Sequence, residues 1–251
     1  MTYCVGLLLN EGMVLLSDTR TNAGIDNIST YRKMFTFEDP GERVITIMTA
    51  GSLSTTQTTI ARLQEAIDDP DATSIMTAGT MLQVAEMVGD TLSTVSANVA
   101  HKLGERAQSA RASMIVAGQR RGGEPRMFLI YAEGNFIEAT ADTPFLQIGE
   151  HKYGKPILDR VVTPETSLGD AQKAALLSMD STLRSNLSVG MPLDLVVIET
   201  DSCRVSRQRR IEADDEVYQK MSADWSVALR HSFANIEVES SGDEIPGYSA
   251  A

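Results

Sequence analysis

A threonine, an aspartate and a lysine near the N-terminus are the residues best suited to chemistry. Thr2 follows Met1 directly, Asp18 lies in the segment SDTR, and Lys33 lies in the segment RKMF. A hydroxyl is a poor nucleophile at neutral pH and needs an adjacent base. Once Met1 is removed, Thr2 carries its own base, because an α-amino group has an unperturbed pKa of about 7.7 to 8.0. The sequence therefore suggests an N-terminal nucleophile.

Lys33, Asp18 and a glycine can supply the other groups that this nucleophile needs. A nearby ammonium lowers the pKa of the Thr2 amine by like-charge repulsion, and a carboxylate holds that ammonium in place. A backbone N–H at a helix entrance can stabilise the oxyanion of acyl transfer, and Gly51 precedes a predicted helix. Two plainer interpretations stay open. The three polar residues can be unconnected strand ends, and such a glycine usually serves only a turn.

Two predicted hairpins bring these residues toward one end of a sheet. Each consists of two β-branched and apolar runs separated by a turn segment, at 2–9 and 13–19 and at 33–38 and 43–49. Thr2 stands at a strand start, Asp18 at the end of the neighbouring strand, and Lys33 at the start of a later one. Their convergence at one sheet end is therefore plausible.

The rest of the chain alternates between blocks of helices and blocks of strands. Helical spacing covers 53–67 and 76–103 and returns at 152–160 and 168–184. Strands are predicted at 113–119, 126–132, 136–140, 144–149, 193–200 and 203–208. Segregated blocks favour antiparallel sheets covered by helices rather than a parallel sheet. We predict an α+β fold, a four-layer αββα sandwich, as one domain over residues 2–210.

Residues 211–251 are predicted to form a C-terminal helical extension with a polar tail. Apolar residues recur at helical spacing in its first part, at Val217, Met221, Trp225, Leu229 and Phe233. This face is surplus to the predicted sandwich, so we expect the helix to pack against a neighbouring subunit. The alternative is a helix that folds back over its own domain.

Composition and charge exclude several classes of function. The net charge of −12 argues against nucleic acid or an anionic membrane as the main partner. The basic run at 204–210 is followed by acidic residues and is interpreted as a solvated or subunit-contacting segment. Every apolar run falls far short of the roughly 18 residues that span a bilayer. We expect a soluble, unexported, cytoplasmic protein.

Neither a metal site nor a cofactor site is predicted. His101, His151 and His231 are scattered, without a spaced set of ligands. Cys4 and Cys203 are the only cysteines, and each lies in an apolar or strand-like stretch. They are expected to be buried, reduced thiols.

Taken together, these segments resemble the proteasome β-subunit superfamily of N-terminal nucleophile hydrolases. The resemblance covers about residues 2–200 and rests on the leading TYCVG strand, the SDTR segment, Lys33, Ala50-Gly51 opening a helix, and Ser188-Val189-Gly190 before a late strand. The start MTYCVGLLLNEGMVLLSDTRTNAG and the long C-terminal extension are most similar to the bacterial ancestral-β-subunit proteins, called Anbu.

The resemblance implies a threonine peptidase that cleaves peptides or unfolded proteins through an acyl-enzyme, inside a ring or helical homo-oligomer. By this resemblance Thr2 is the nucleophile, Asp18 and Lys33 are the charge pair that tunes it, and Gly51 supplies the oxyanion N–H. Arg20 would be structural support for the site. No cofactor is implied, and an ATP-dependent unfoldase partner is left open.

This chain departs from the family pattern at two places. Gly149-Glu150-His151 stands where family members commonly have Gly-Ser-Gly, and Ser185 stands where many have an aspartate. Those positions help to hold the threonine amine in the family, and Ser185 and Ser188 are the candidates for that role here. Two other functions therefore stay open, a catalytically silent ring subunit and an amidase or acyl transferase that acts on small peptides.

Overall fold

The computed structural model describes residues 2–22 and 28–237 of the chain. This part divides into two compact units, one that ends at Ala213 and one that begins at Asp214. The second unit contains a single described helix. None of the helices in the described ranges is both long and apolar enough to cross a membrane.

Strand and helix blocks follow one another in the predicted order. The strands are β1 (Tyr3–Leu9), β2 (Gly12–Asp18), β3 (Arg20–Asn22), β4 (Ile28–Thr30), β5 (Met34–Asp39), β6 (Arg43–Gly51), β7 (Ala112–Arg120), β8 (Arg126–Ile130), β9 (Phe136–Glu138), β10 (Phe145–Gly149), β11 (Leu193–Glu199) and β12 (Arg207–Ile211). The helices are α1 (Leu53–Asp68), α2 (Met81–Leu103), α3 (Lys155–Val161), α4 (Leu168–Ser185) and α5 (Glu216–Ala234), with a 3-10 helix at Gly104–Ala110.

Two antiparallel five-stranded sheets form the centre of the first unit. One has the order β10-β1-β2-β11-β12, and the other has the order β5-β6-β7-β8-β9. The hairpins β1–β2 and β5–β6 each lie within one sheet, as short connections between antiparallel strands require. A separate two-stranded ribbon joins β3 and β4.

Apolar side chains separate this unit into four layers. Between the two sheets lies one cluster, which includes Met13, Leu15 and Val196 from the first sheet and Met48 and Ile115 from the second. A second cluster lies between the β6–β8 face and the helices α1 and α2. Helices α3 and α4 pack together, and α4 covers β1 and β2. The predicted αββα sandwich is confirmed, because each sheet has one face against the other sheet and one against helices.

The predicted strand at 203–208 is wrong in its bounds. The observed strand β12 begins at Arg207 and ends at Ile211. Asp201 and Cys203 both have positive φ angles, of 64° and 46°, which an extended strand does not allow. The basic run therefore lies partly in a loop and partly on an edge strand, where exposed arginines discourage pairing with other sheets.

The β3–β4 ribbon was not predicted at all. Its strands have three residues each, which is too short for a hydrophobic period to be visible in the sequence.

Gly89 in α2 permits a close backbone contact. A Cβ atom at this position would lie 2.3 Å from the carbonyl oxygen of Gly134, in the turn between β8 and β9. We expect Gly89→Ala to lower the free energy of unfolding by about 1–3 kcal/mol, because helix and turn must move apart. Gly169→Ala in α4 is the matched control, since the nearest atom there is 3.9 Å away. That variant should gain about 0.4–1 kcal/mol. Urea unfolding of both variants measures the difference, and equal effects would contradict the packing argument.

Candidate active site

Asp18, the last residue of β2, is the most heavily hydrogen-bonded side chain at this end of the sandwich. Its Oδ1 atom accepts from Lys33 Nζ at 2.7 Å and from the Tyr3 backbone N–H at 3.1 Å. Its Oδ2 atom accepts from the backbone N–H groups of Arg20 and Gly190, both at 3.2 Å. The carboxylate at the end of β2 thus joins four other chain segments, at the start of β1, at the start of β3, just before β5 and in the loop before β11.

Opposing effects act on the charge of Asp18. The side chain is fully buried, and burial raises the pKa of its carboxyl group. The Lys33 ammonium and the backbone donors lower that pKa, because they stabilise the ionised form. Burial is the largest of these effects and leaves the pKa above its ordinary value, whereas the four N–H donors on its two oxygens are the hydrogen-bond pattern of a carboxylate.

Lys33, just before β5, lies with its ammonium in the same pocket. The residue is 4% exposed, and Nζ donates to Asp18 Oδ1 and, at 2.6 Å, to the carbonyl oxygen of Arg20. An ammonium has three N–H donors. Among the described residues, two of them are used by these acceptors, and the third has no partner there. The Lys33 backbone is itself fixed, because its carbonyl oxygen accepts from the Thr49 N–H at 2.9 Å.

Thr2 directly precedes β1 and is 7% exposed. Its carbonyl oxygen accepts from the Glu150 backbone N–H at 2.8 Å, just beyond the pairing of Tyr3 with Gly149. Gly149 has a φ of 82°, and a Cβ atom there would lie 1.9 Å from the Thr2 oxygen. Glycine at this position therefore lets β10 approach Thr2 closely.

Tyr3 positions the backbone between Thr2 and Asp18, a role that sequence reasoning missed. Its hydroxyl lies 2.5 Å from Ser178 Oγ in α4 and accepts from Gln147 Nε2 at 2.6 Å. Burial raises the pKa of Tyr3 to about 12, so the phenol stays protonated. The side chain is anchored on the helix side of the sheet while the backbone N–H is directed at Asp18.

Gly51 ends β6 at the same end of the sandwich. Its φ is 108°, and a Cβ atom there would lie 2.5 Å from the carbonyl oxygen of Arg111. The next residue, Ser52, caps helix α1. Gly51 lies two residues beyond Thr49, which contacts both Lys33 and the Cys4 thiol. The predicted oxyanion donor thus stands at the strand end next to the charge pair.

Arg20 and the loop before β11 form the remaining wall. The guanidinium donates to the carbonyl oxygen of Leu187 at 2.9 Å. A Cβ atom on Gly190 would lie 2.1 Å from Arg20 Nε, so a larger residue there would displace the guanidinium. The Arg20 backbone also contacts both members of the charge pair. Its N–H donates to Asp18, and its carbonyl oxygen accepts from Lys33.

The residues at the departures from the family pattern occupy different surroundings. Ser185 is exposed at the end of α4, while Ser188 is half-buried and donates its backbone N–H to Asn186 Oδ1. Within the described ranges, neither serine hydroxyl bonds to Thr2. Glu150 contacts Thr2 through its backbone N–H, a contact that does not depend on the side chain.

Ser17 and Asp194 form a second polar pair that the sequence did not reveal. They are register partners on β2 and β11, and Ser17 Oγ and Asp194 Oδ2 are buried without a hydrogen-bond partner among the described residues. Burial raises the pKa of Asp194, and the charges of Arg210 and Arg32 oppose this. Buried polar atoms of this kind commonly hydrogen-bond an ordered water molecule.

A cleft opens between the edge strand β5 and helix α1, and its lining begins at Tyr31 and Arg32, just before Lys33 in the chain. Its volume is about 580 Å³, and it is lined by Tyr31, Arg32, Phe35, Thr36, Phe37, Gln57, Ile60, Ala61 and Gln64. Aromatic and aliphatic walls with a few polar groups suit an amino-acid side chain. The described residues contain no group of three histidine, cysteine or acidic side chains that could hold a metal ion.

Comparisons with known proteins agree with this geometry. The model of the proteasome subunit family matches residues 2–198. Among solved structures, Anbu from Yersinia bercovieri is 42% identical with a TM-score of 0.90, and the helical assembly of the Anbu complex from Pseudomonas aeruginosa gives 44% and 0.89. An Anbu (Gly-1) mutant from Hyphomicrobium sp. strain MC1 is 47% identical, with a TM-score of 0.88.

Each of these three alignments covers 96% of this chain and 100% of the other. Curated protein sequences give no match. The family model covers most of the chain, and full-length structural relatives share the fold as well as the sequence. The chain therefore belongs to the proteasome subunit family, with the N-terminal nucleophile hydrolase fold, and within that family to the Anbu ancestral β-subunits.

Proposed function

We propose that this protein is a threonine peptidase that hydrolyses amide bonds through an acyl-enzyme on Thr2, after removal of Met1. The observation that carries the proposal is the buried Lys33 ammonium, held by Asp18 beside the start of β1. Removing two charges from water costs several kcal/mol per ion in real proteins. A subunit that only shapes an assembly has no need of such a pair at this place.

The proposed reaction begins with proton transfer within Thr2. The free amine accepts the hydroxyl proton, and Oγ1 attacks the carbonyl carbon of the scissile amide. The oxyanion that forms accepts the Gly51 backbone N–H. The amine then gives the proton to the leaving nitrogen as the C–N bond breaks, which leaves an ester on Thr2. Water, deprotonated by the same amine, hydrolyses that ester and regenerates the hydroxyl.

Lys33 has two roles in this proposal. Its positive charge lowers the pKa of the Thr2 amine, so that a larger fraction is neutral and able to act as a base. Its third N–H can donate to Thr2 Oγ1 and stabilise the developing alkoxide. Asp18 and the Arg20 carbonyl oxygen fix the ammonium in direction as well as position.

Peptides and unfolded proteins are the proposed substrates. The cleft between β5 and α1 combines phenylalanine and isoleucine walls with glutamines on α1, which suits large apolar side chains better than charged ones. An amidase or acyl transferase for small peptides would use the same nucleophile. Cleavage of an unfolded protein as well as short peptides distinguishes the peptidase.

We also propose that the protein works as a homo-oligomer, since the Pseudomonas aeruginosa relative forms a helical assembly. Helix α5 exposes four large apolar side chains, Val217, Val227, Leu229 and Phe233, which are between 49% and 81% exposed. Large apolar side chains that stay exposed on one helix are typical of a protein–protein interface. Residues 211–251 are thus proposed as an assembly element and 2–210 as the hydrolase domain.

The first prediction concerns Thr2. Thr2→Ala should abolish amide-bond cleavage while fold and assembly stay intact, because it removes the only proposed nucleophile. Thr2→Ser, which keeps a hydroxyl, is the matched control and should retain measurable turnover. Intact mass must first show that Met1 is absent from each protein. Residual turnover of Thr2→Ala above about a thousandth of wild type would rule out this nucleophile.

The second prediction concerns Lys33. Lys33→Ala should reduce turnover at neutral pH by at least about 100-fold. Lys33→Arg should also be poor, because the guanidinium is larger and does not titrate. Lys33→Met, combined with Asp18→Asn to avoid an unpaired buried charge, tests the electrostatic role. Its residual activity should rise at higher pH than that of wild type, because the Thr2 amine then has a higher pKa. An unchanged pH profile in a folded variant would contradict this role.

The third prediction concerns α5. Truncation after Ala213 keeps β12 complete and removes the whole helical extension. We expect a folded protein that assembles into a smaller oligomer than wild type. Light scattering measures the mass of the oligomer, and circular dichroism shows that the chain is folded. Leu229→Glu with Phe233→Glu tests the same surface without truncation. A truncated chain that assembles like wild type would refute the interface, and an unfolded one would favour the alternative in which α5 covers its own domain.

A further inference from the structure

A free amine on Thr2 needs a counter-charge close to the start of β1. Removal of Met1 creates an α-ammonium group on a residue that is only 7% exposed. The Lys33 ammonium lies in the same site, because it donates to the Asp18 oxygen that also accepts from the Tyr3 N–H. A positive charge withdrawn from water requires an acceptor or an opposite charge.

Asp18 has no capacity left for this role. The two oxygens of a carboxylate offer about four lone-pair sites. In Asp18 each oxygen already accepts two donors, which are the Lys33 ammonium and three backbone N–H groups. A fifth donor can bind only by displacing one of these. The counter-charge of the Thr2 amine must therefore come from another residue.

Glu150 is placed to supply that counter-charge. Gly149 pairs with Tyr3 at the end of β10, and the N–H of Glu150 donates to the Thr2 carbonyl oxygen at 2.8 Å. The α-nitrogen of Thr2 is three bonds from that oxygen. Because a glutamate carries its carboxylate on three rotatable bonds, this carboxylate can reach the amine without any movement of the backbone.

The Glu150 carboxylate is available for such a contact. The residue is half-buried, and within the described ranges its carboxylate forms neither a hydrogen bond nor an ion pair. The other charged or titratable groups on neighbouring elements are engaged: Asp180 with Arg184, Asp194 with Arg210, Arg20 with the Leu187 carbonyl, Lys155 with Asp159, Lys152 with the Tyr153 ring, His151 with the Gly149 carbonyl, and the Tyr3 hydroxyl with Ser178. Glu150 is thus the unengaged acid next to Thr2 in this part of the chain.

We propose that Glu150 is a positioning residue for the Thr2 amine, whose carboxylate pairs with the ammonium form and delays loss of its proton to higher pH. The effect opposes that of Lys33, whose charge favours the neutral amine. Only the neutral amine accepts the hydroxyl proton, so the two residues together set the lowest pH at which Thr2 attacks. This inference rests on the peptidase proposed above, because it concerns the same amine.

The pKa of the Thr2 amine can be measured without any substrate. Acetylation by acetic anhydride at a series of pH values, followed by mass spectrometry of the N-terminal peptide, reports the neutral fraction. Glu150→Gln keeps the size and the backbone N–H but removes the charge. We expect it to lower the amine pKa by about half a unit to one unit, since the side chain is half exposed and partly screened.

Two further variants control for charge. Glu150→Asp keeps the carboxylate, and its amine pKa should lie closer to that of wild type than to that of Glu150→Gln. Glu124→Gln makes the same change of net charge in the β7–β8 turn, at the far end of β7 from the pairing of Ala112 with Gly51. Its amine pKa should equal that of wild type.

The pH profile of cleavage supplies the second measurement. The acidic limb of kcat/KM should move to lower pH in Glu150→Gln by the same amount as the amine pKa. Well below the wild-type amine pKa this variant should therefore cleave about threefold to tenfold faster than wild type. Histidines titrate near neutral pH, so the comparison is repeated with His151→Asn, where Glu150→Gln should give the same shift.

The outcomes separate this inference from the proposed peptidase. An equal amine pKa in wild type and Glu150→Gln, an equal shift in Glu124→Gln, or loss of the shift with His151→Asn would overturn the role of Glu150. Cleavage that depends on Thr2 would still stand. A lowered amine pKa in a protein that cleaves no amide would support Glu150 and refute the peptidase. Retention of Met1, measured by intact mass, would overturn both.

Discussion

The ion pair between Asp18 and Lys33 is the interaction on which the arrangement of the site depends. Asp18 accepts from the starts of β1 and β3 and from the loop before β11, while Lys33 reaches it from the residue before β5 in the other sheet. A buried carboxylate is tolerated only when its lone pairs are matched. Each segment is therefore located by the need to satisfy one charge, and Thr2 is located with them because Tyr3 follows it directly.

Close backbone approach is the second constraint at this end of the sandwich. At Gly51, Gly149 and Gly190 an added Cβ atom would lie within 2.5 Å of a neighbouring atom. At two of these positions the obstruction is backbone, and at Gly190 it is the Arg20 guanidinium. At this end of the sandwich the backbone segments lie very close together. The absence of a Cβ atom at these glycines therefore matters as much as the charged groups.

Much of the fold was predictable because its signals are local. The hairpins at β1–β2 and β5–β6 and the helices α1 and α2 have clear periods and turn residues, and the segregation of strands and helices into blocks indicated the layered sandwich. Asp18 and Lys33 could be chosen because an N-terminal threonine needs an ammonium held by a carboxylate, and the segments SDTR and RKMF supply them. The edge strand β12 was misplaced, because a charged edge has no hydrophobic alternation, and the turn at Cys203 depends on φ angles that sequence does not show.

The contributions of Tyr3 and Gly190 could not be predicted, because both act on Asp18 through backbone N–H groups, which every non-proline residue possesses. Only the registers of β1 and β11 against β2 determine which N–H groups reach the carboxylate. The same reasoning applies to Glu150, whose unusual side chain drew attention in the sequence. Its contact with Thr2 is made by the backbone, so substitution of this side chain by another leaves that hydrogen bond in place.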